Sequence, residues 1–213
     1  MLRRPGRREA LALALAPIRV ELPAAGLLDP LALFSPPVRS VRLEIGFGAG
    51  ERLEAAAAAD PATGFLGVEP FLPGVARLAA AVAARGLANV RIVVDDARLL
   101  LDALPPASLA AIDVLFPDPW PKARHHKRRI VNPATVARFA DLLQPGGVLY
   151  CATDDPGYQH WMLATLLAES RLRWLARDAR DWQAPPSGDV ETRYERKAKA
   201  ASRHPLYLRF ARR

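Results

Sequence analysis

The amino-acid sequence predicts an α/β fold, in which helices cover both faces of a mostly parallel β-sheet. Short apolar runs alternate with helical patterns along most of the chain, as in sheets built from strand–helix–strand units. The runs are almost continuously apolar, which indicates strands that are buried on both sides. Because ligands of such sheets bind beyond the carboxyl ends of the strands, we expect the functional residues there.

The predicted elements follow one another in order from residue 41. Apolar runs predict strands at 41–46, 64–69, 90–96, 109–117, 148–153 and 205–213. Alanine-rich or amphipathic patterns predict helices at 51–60, 72–86, shortly after Arg98, at 132–147 and at 157–170. Residues 178–204 form the one long irregular stretch, and loops of that length are usually functional or disordered.

A chain of 213 residues fits one domain, which we place at residues 41–213. Residues 1–40 are rich in Pro, Arg and Ala, and we expect a basic, partly flexible N-terminal arm. The apolar run in this arm is too short for a membrane span and lacks a convincing signal-peptide cleavage site. The single cysteine, Cys151, excludes an intramolecular disulfide and a cysteine-based zinc cluster. We therefore expect a cytoplasmic protein without membrane contact.

The formal net charge of +8 is confined to the second half of the chain. Residues 1–113 carry 12 Lys/Arg and 12 Asp/Glu, whereas residues 114–213 carry 18 and 10. An arginine-rich composition is the alternative explanation for the number of basic residues, but it would not place them in one part of the chain. A one-sided basic field suits a polyanionic partner, of which nucleic acid is the commonest.

A glycine-rich turn follows the first predicted strand. Glu44 precedes Gly46, Gly48 and Gly50 at alternate positions, and such glycines let the backbone approach a ligand closely. A dinucleotide fingerprint would need glycine where Glu51 stands. An acidic residue before the glycines suits a cationic, amino-acid-bearing ligand better than a phosphate.

Further acidic residues end the next two strands. Glu69 can accept hydrogen bonds from both hydroxyls of a ribose, and the Asp95–Asp96 pair can accept from the amine of an adenine. Together with Glu44 and the glycines, these acids resemble the S-adenosylmethionine site of class I methyltransferases. Glycines in an ordinary turn beside solvated acids are the structural alternative.

The stretch FPDPWPKARHHKRR, residues 116–129, follows the fourth strand. Its prolines predict a stiff turn that holds the carboxylate of Asp118 in a fixed direction. The basic residues after it suit contacts with phosphates, although a solvated loop would have the same composition. This basic block consists of Lys122, Arg124, Lys127, Arg128 and Arg129.

Three motifs together resemble the bacterial tRNA (guanine-N7-)-methyltransferase family. They are FPDPWPKARHHKRRIVN at 116–132, ATDDPGY at 152–158 and ETRYERKA at 191–198. The resemblance runs from residue 41 to the C-terminus, and the first forty residues contain no motif that we can match. It implies a Rossmann-like class I fold with a seven-stranded, mostly parallel sheet. It further implies methyl transfer from S-adenosylmethionine to N7 of a guanine in tRNA, at variable-loop position 46.

The resemblance and the strand-end positions together define the candidate site. The predicted cofactor-binding residues are Glu44, Gly46, Gly48, Gly50, Glu69, Asp96 and Asp118. The predicted tRNA-binding residues are the basic block, Asp154, Thr192, Arg193, Tyr194 and Glu195. The resemblance makes Asp118 the catalytic residue, and the division of roles among Asp118, Asp154 and Glu195 stays open. We expect no metal and no obligate protein partner, in a monomer or a homodimer.

Guanine N7 carries an in-plane lone pair and no proton, so its methylation needs no general base. Positioning and charge stabilisation must therefore supply the catalysis, and Asp118 is suited to orient the base and compensate its developing charge. Two other functions remain possible. The likeness of FPDPW to a D-P-P-Y turn suggests methylation of an exocyclic amine, and a degenerate fold could bind RNA without catalysis. The glycine spacing disfavours an NAD-dependent oxidoreductase.

Overall fold

Seven strands form a single sheet with the order β3-β2-β1-β4-β5-β7-β6 in a computed structural model that describes residues 7–213, without the side chains at 7, 8 and 10. The strands are β1 Ser40–Ile45, β2 Thr63–Val68, β3 Val90–Val93, β4 Leu109–Leu115, β5 Leu143–Thr153, β6 Leu172–Trp174 and β7 Leu206–Arg212. Strands β1 to β5 pair in parallel, and β7 runs antiparallel to β5 and β6. The predicted mostly parallel, seven-stranded sheet is thereby confirmed.

The described helices are α1 Arg7–Leu15, α2 Glu51–Ala59, α3 Leu72–Arg85, α4 Ala97–Ala103, α5 Pro133–Leu142, α6 Pro156–Ala168, α7 Arg180–Gln183 and α8 Arg193–Ala200, with short 3-10 turns at Leu31–Leu33 and Ala123–Arg128. Four of them, α4, α5, α6 and α8, begin at a residue whose side chain caps them. The side chain of Asn132 accepts hydrogen bonds from the first turn of α5 and forms a capping box with Thr135. Asp155 caps α6 in the same way.

One helix boundary differs from the sequence prediction. The helix expected at 132–147 ends at Leu142, and β5 begins at Leu143, which is buried and pairs with Leu109. The pairing register then shifts, so that Ala111 faces Val148 across the two strands. Gly146 and Gly147, at the end of the predicted helix, therefore lie at an irregularity inside β5 and do not end a helix.

Short elements carried too weak a pattern to be located in the sequence. Strand β6 has only three residues, too few to show an alternation. The irregular stretch 178–204 contains the short helices α7 and α8, and the second of these carries the tRNA-binding motif of the sequence prediction.

The described part of the predicted N-terminal arm packs against the rest of the chain, and residues 1–6 lie outside the described residues. Leu15 and Ile18 are buried against α3, while Val20 and Phe34 join the main core. The backbone of residues 18–20 pairs with Ile92 on the outer edge of β3. The division of the chain at residue 40 stays a prediction.

The described residues include no helix of the length and apolarity needed to cross a membrane. Cys151 lies buried in β5, and burial raises the pKa of its thiol, which fits a structural residue.

Candidate active site

The glycine loop, residues 46–50, joins β1 to α2 at the carboxyl end of the sheet. Gly48 and Gly50 have φ angles of 55° and 74°, a left-handed conformation that favours glycine. Helix α3 packs so closely on this loop that a Cβ at Gly74 would lie 2.0 Å from the carbonyl oxygen of Gly48. Gly74 therefore allows α3 to pack against the glycine loop. The sequence did not indicate this role, because Gly74 lies within a helical pattern.

The first cavity lies beside the glycine loop and has a volume of about 200 Å³. Glu44 and Arg52 line its inner side, and Thr192, Arg193 and Tyr194 of the α8 region line its outer side. Burial raises the pKa of Glu44 to about 7, although the neighbouring Arg52 guanidinium lowers it.

Glu69 is buried at the end of β2, where two backbone groups hold its carboxylate. Oε2 accepts a hydrogen bond from the backbone N–H of Gly48 at 2.9 Å, and Oε1 accepts one from Phe71 at 2.9 Å. Each oxygen keeps a further lone pair that can accept a hydrogen bond from a ligand hydroxyl. The side chain thus fixes the glycine loop and still faces the crevice.

The second cavity, of about 590 Å³, lies on the other side of the glycine loop. Its lining brings together three predicted site carboxylates, from Glu69, Asp96 and Asp118. Asp96 caps α4 and pairs with Arg98 at 3.2 Å. The carboxylate of Asp118 is exposed and makes no hydrogen bond or ion pair with any described residue, so it is available to a ligand.

The Asp118 turn, residues 116–120, is held at both ends. Phe116 and Trp120 have positive φ angles of 50° and 43°, which strain residues other than glycine. The N–H of Phe116 donates to the carbonyl of Ala152 at 2.7 Å, and Arg129 Nε donates to the carbonyl of Pro119 at 2.8 Å. The rigidity that the prolines predict is thus reinforced by contacts from outside the turn.

The basic block divides into an exposed and a buried part. Lys122, Arg124, Lys127 and Arg128 are exposed, and the guanidinium of Arg128 lies 4.8 Å from the centre of the Trp120 ring. Arg129 departs from the prediction of a phosphate contact, because only 3% of it is exposed. Its guanidinium lies against the rings of Tyr158 and Trp161, at 4.8 and 5.0 Å from their centres. A run of basic letters gives no sign of which side chain turns inward.

The remaining predicted tRNA-binding residues occupy three different environments. Asp154 pairs with Arg203 at 2.5 Å. Glu195 is 4% exposed and accepts a hydrogen bond from the hydroxyl of Tyr207 at 2.8 Å. Neither lines the two cavities described above. Tyr194 lines both of them, and a Cβ at Gly48 would lie only 3.4 Å from its ring.

Sequence reasoning missed the ion pairs beneath the glycine loop. Arg52 donates to Glu44, to Asp113 and to Asp189, and its own exposure is 8%. The only sequence feature that could have indicated these buried ion pairs was Asp113, an acidic residue in the middle of an apolar strand. Within residues 7–213, no three His, Cys, Asp or Glu side chains are grouped in a way that could hold a metal ion.

Comparison with known proteins places this chain in a family. A family model described as "Putative methyltransferase" matches residues 38–207. A tRNA (guanine-N(7)-)-methyltransferase from Mesorhizobium japonicum is 48% identical over 209 residues, covering 98% of this chain and 90% of that relative. A namesake from Rhodospirillum rubrum is 48% identical and covers 90% of this chain and 77% of the relative. The chain belongs to the tRNA (guanine-N7-)-methyltransferase family.

Solved structures share the fold of this family member at low sequence identity. TrmN from Thermus thermophilus aligns with a TM-score of 0.59 at 16% identity, over 97% of this chain and 48% of its own. The 16S rRNA methyltransferase KamB aligns with a TM-score of 0.57 at 18% identity, over 82% and 88% of the two chains. The predicted class I methyltransferase fold is confirmed, and so is the family predicted from the three motifs. The roles of individual site residues stay predictions.

Proposed function

We propose that this protein transfers a methyl group from S-adenosylmethionine to N7 of a guanine in tRNA, at position 46 of the variable loop. The observation that carries the proposal is the second cavity. The unpartnered carboxylate of Asp118 lines it together with Glu69, Asp96 and the glycine loop. The names of the relatives support tRNA as the substrate. The position within tRNA rests on the family resemblance.

The residues around the two cavities fit S-adenosylmethionine. Glu44 would accept hydrogen bonds from its ammonium, Glu69 from its ribose hydroxyls and Asp96 from its adenine amine. Residues 46–49 of the glycine loop line the first cavity, where a ligand can approach them. The bound cofactor supplies an electrophilic methyl group on a sulfonium.

Asp118 acts on the guanine. Its free carboxylate oxygens accept hydrogen bonds from N1–H and the exocyclic amine, which fixes the base with N7 directed into the crevice. The same negative charge compensates the positive charge that develops on the purine ring. The strained turn and its two external contacts keep the carboxylate in place, so little reorganisation accompanies the reaction.

The exposed residues of the basic block bind the tRNA backbone beside the crevice. Lys122, Arg124, Lys127 and Arg128 are free of ion pairs with any described residue, so their charges are available to phosphates. We further propose that the enzyme works in the cytoplasm, as a monomer or a homodimer, without a metal or an obligate protein partner.

The test is transfer of a tritiated methyl group from S-adenosylmethionine to tRNA that lacks the modification, followed by nuclease digestion. We expect labelled N7-methylguanosine, and we expect it to disappear when the guanine at position 46 is replaced. Labelled N6-methyladenosine would indicate the exocyclic-amine reaction instead. Tight binding of tRNA without any methyl transfer would indicate an RNA-binding protein.

A further inference from the structure

Two buried carboxylates stand side by side beneath the glycine loop. Glu44 on β1 and Asp113 on β4 are direct neighbours across the two parallel strands, and both are buried. Like charges at such positions repel, and the burial of each would be costly without a cation. A positive group between them is therefore needed for both to be ionised.

Arg52 of α2 supplies that positive group. Its Nη1 donates to Glu44 Oε2 at 3.2 Å and to Asp113 Oδ2 at 3.1 Å. Arg42 donates to Asp113 from the other side. Arg52 also lines the first cavity together with Glu44, so its guanidinium forms part of the cofactor side of the crevice.

The other edge of the same guanidinium reaches the irregular region before α8. Arg52 Nε donates to Asp189 Oδ1 at 2.7 Å, and the two side chains are 9% and 13% exposed. Burial, followed by the neighbouring Asp189 carboxylate, raises the pKa of Tyr150, whose ring also faces Arg52. Asp189 is thus enclosed by groups from α2 and β5.

This ion pair is the anchor of the chain between α7 and α8. The same carboxylate also accepts a hydrogen bond from the hydroxyl of Tyr150 on β5. Among the described residues, the other hydrogen bonds of residues 184–191 stay within that stretch or reach α8. Three residues after Asp189 the chain enters the part that lines the cavities, namely Thr192, Arg193 and Tyr194.

We infer that Asp189 is a positioning residue, which uses its ion pair with Arg52 to hold residues 189–194 over the crevice before either ligand binds. The inference rests on the proposed function, because it takes residues 192–194 to contact both the cofactor and the tRNA. Asp189 itself touches neither ligand. Because the segment is already in place, the first ligand to bind does not lose free energy in ordering it.

Loss of the anchor has a specific thermodynamic consequence. Without the ion pair, residues 189–194 are held only from their far end, where buried Glu195 bonds Tyr207. Each ligand then binds only the fraction of molecules in which these residues are in place, so its apparent affinity falls by that fraction. Once one ligand has ordered the segment, the second ligand binds without that loss. The variant should therefore bind each ligand weakly alone and should show increased cooperativity between them.

The experiment compares Asp189→Asn with the wild-type enzyme. Dissociation constants are measured for S-adenosylhomocysteine and for unmodified tRNA, each alone and each with the other ligand at saturation. We expect either ligand alone to bind about tenfold more weakly to the variant, and the loss to shrink to about twofold when the other is bound. The KM values should rise while kcat at saturation stays within about twofold.

Two further variants serve as controls. Asp178→Asn removes an exposed carboxylate of the same region, one that pairs with Arg180, and should change no affinity. Asp189→Glu keeps the charge and should restore most of the wild-type behaviour. In Asp189→Asn, Arg52 keeps Glu44 and Asp113 as partners, so the fold is retained, and thermal unfolding checks this.

Wild-type affinities in Asp189→Asn would overturn the inference, and so would a loss that is equal whether or not the second ligand is present. Either result can be told apart from a failure of the proposed function. That failure would be the absence of N7-methylguanosine in tRNA treated with the wild-type enzyme, which carries the intact ion pair.

Discussion

On the glycine-loop side of the crevice, Glu44 and Glu69 are buried and already accept hydrogen bonds from Arg52 and from two backbone N–H groups. On the opposite side, Asp118 is exposed and has no partner among the described residues. In the first arrangement the carboxylates are already held in position, which suits the binding of a ligand whose shape matches that fixed geometry. The second suits a group whose hydrogen bonds and charge are used only when the substrate arrives.

The comparison predicts the largest effect for Asp118→Asn. The amide keeps the size of the side chain but loses the negative charge that compensates the purine cation, so we expect the single-turnover rate to fall about a hundredfold. Thermal stability should not change, because the carboxylate has no partner to lose. A rate within about twofold of wild type, roughly 0.4 kcal/mol of barrier, would contradict this role.

Glu69→Gln should have the opposite character, with a loss of both binding and stability. A glutamine amide presents an NH₂ group to one of the two backbone donors, which leaves a buried N–H unsatisfied at a cost of about 1–3 kcal/mol. We expect S-adenosylhomocysteine to bind at least about tenfold more weakly in calorimetry, and the unfolding temperature to fall. The matched change Asp96→Asn, at an exposed strand end, should leave the unfolding temperature nearly unchanged.

Glu44 gives the buried side of the crevice a pH dependence. Because the pKa of Glu44 is raised to about 7 by burial, only about a tenth of its carboxylates are ionised at pH 6. The affinity for S-adenosylhomocysteine, whose ammonium needs the ionised form, should rise about tenfold between pH 6 and pH 8. Glu44→Gln should flatten this dependence, and a steep profile in that variant would assign it to another group.

The same raised pKa of Glu44 makes a stability contribution of definite sign. The folded protein holds this proton more tightly than the unfolded chain, in which the pKa is near 4.5. Stability from this group is therefore fully present below pH 4.5 and is lost as the pH rises through 7.

The smallest effect should come from the exposed part of the basic block. Neutralising Arg124 and Lys127 together should weaken tRNA binding modestly and reduce the slope of log affinity against log salt by roughly one unit per lost contact. Arg129→Gln should instead lower the unfolding temperature, because it removes a buried hydrogen bond to Pro119 and two ring contacts. An unchanged salt slope would remove Arg124 and Lys127 from the interface.

Local patterns in the sequence were sufficient for every strand of the sheet except β6 and for the acidic residues near the strand ends. Glu44 lies one residue before the end of β1, and Glu69 and Asp96 come shortly after β2 and β3, so the fold alone brings them to one edge. The contact between Arg52 and Asp189 could not be predicted in this way, since 137 positions separate the two residues. The burial of Arg129 could not be predicted for a related reason, because it depends on the rings of Tyr158 and Trp161 in a distant helix.

The pairing of residues 18–20 with Ile92 has a consequence for association between molecules. An open strand edge is a template on which other chains can add, and this pairing occupies the outer edge of β3. By covering this edge, residues 18–20 therefore disfavour edge-to-edge aggregation of the sheet. A chain shortened to begin after residue 22 also loses the buried side chains of Leu15, Ile18 and Val20. It should therefore unfold at a lower temperature, and light scattering should show aggregation at concentrations at which the full chain is dispersed.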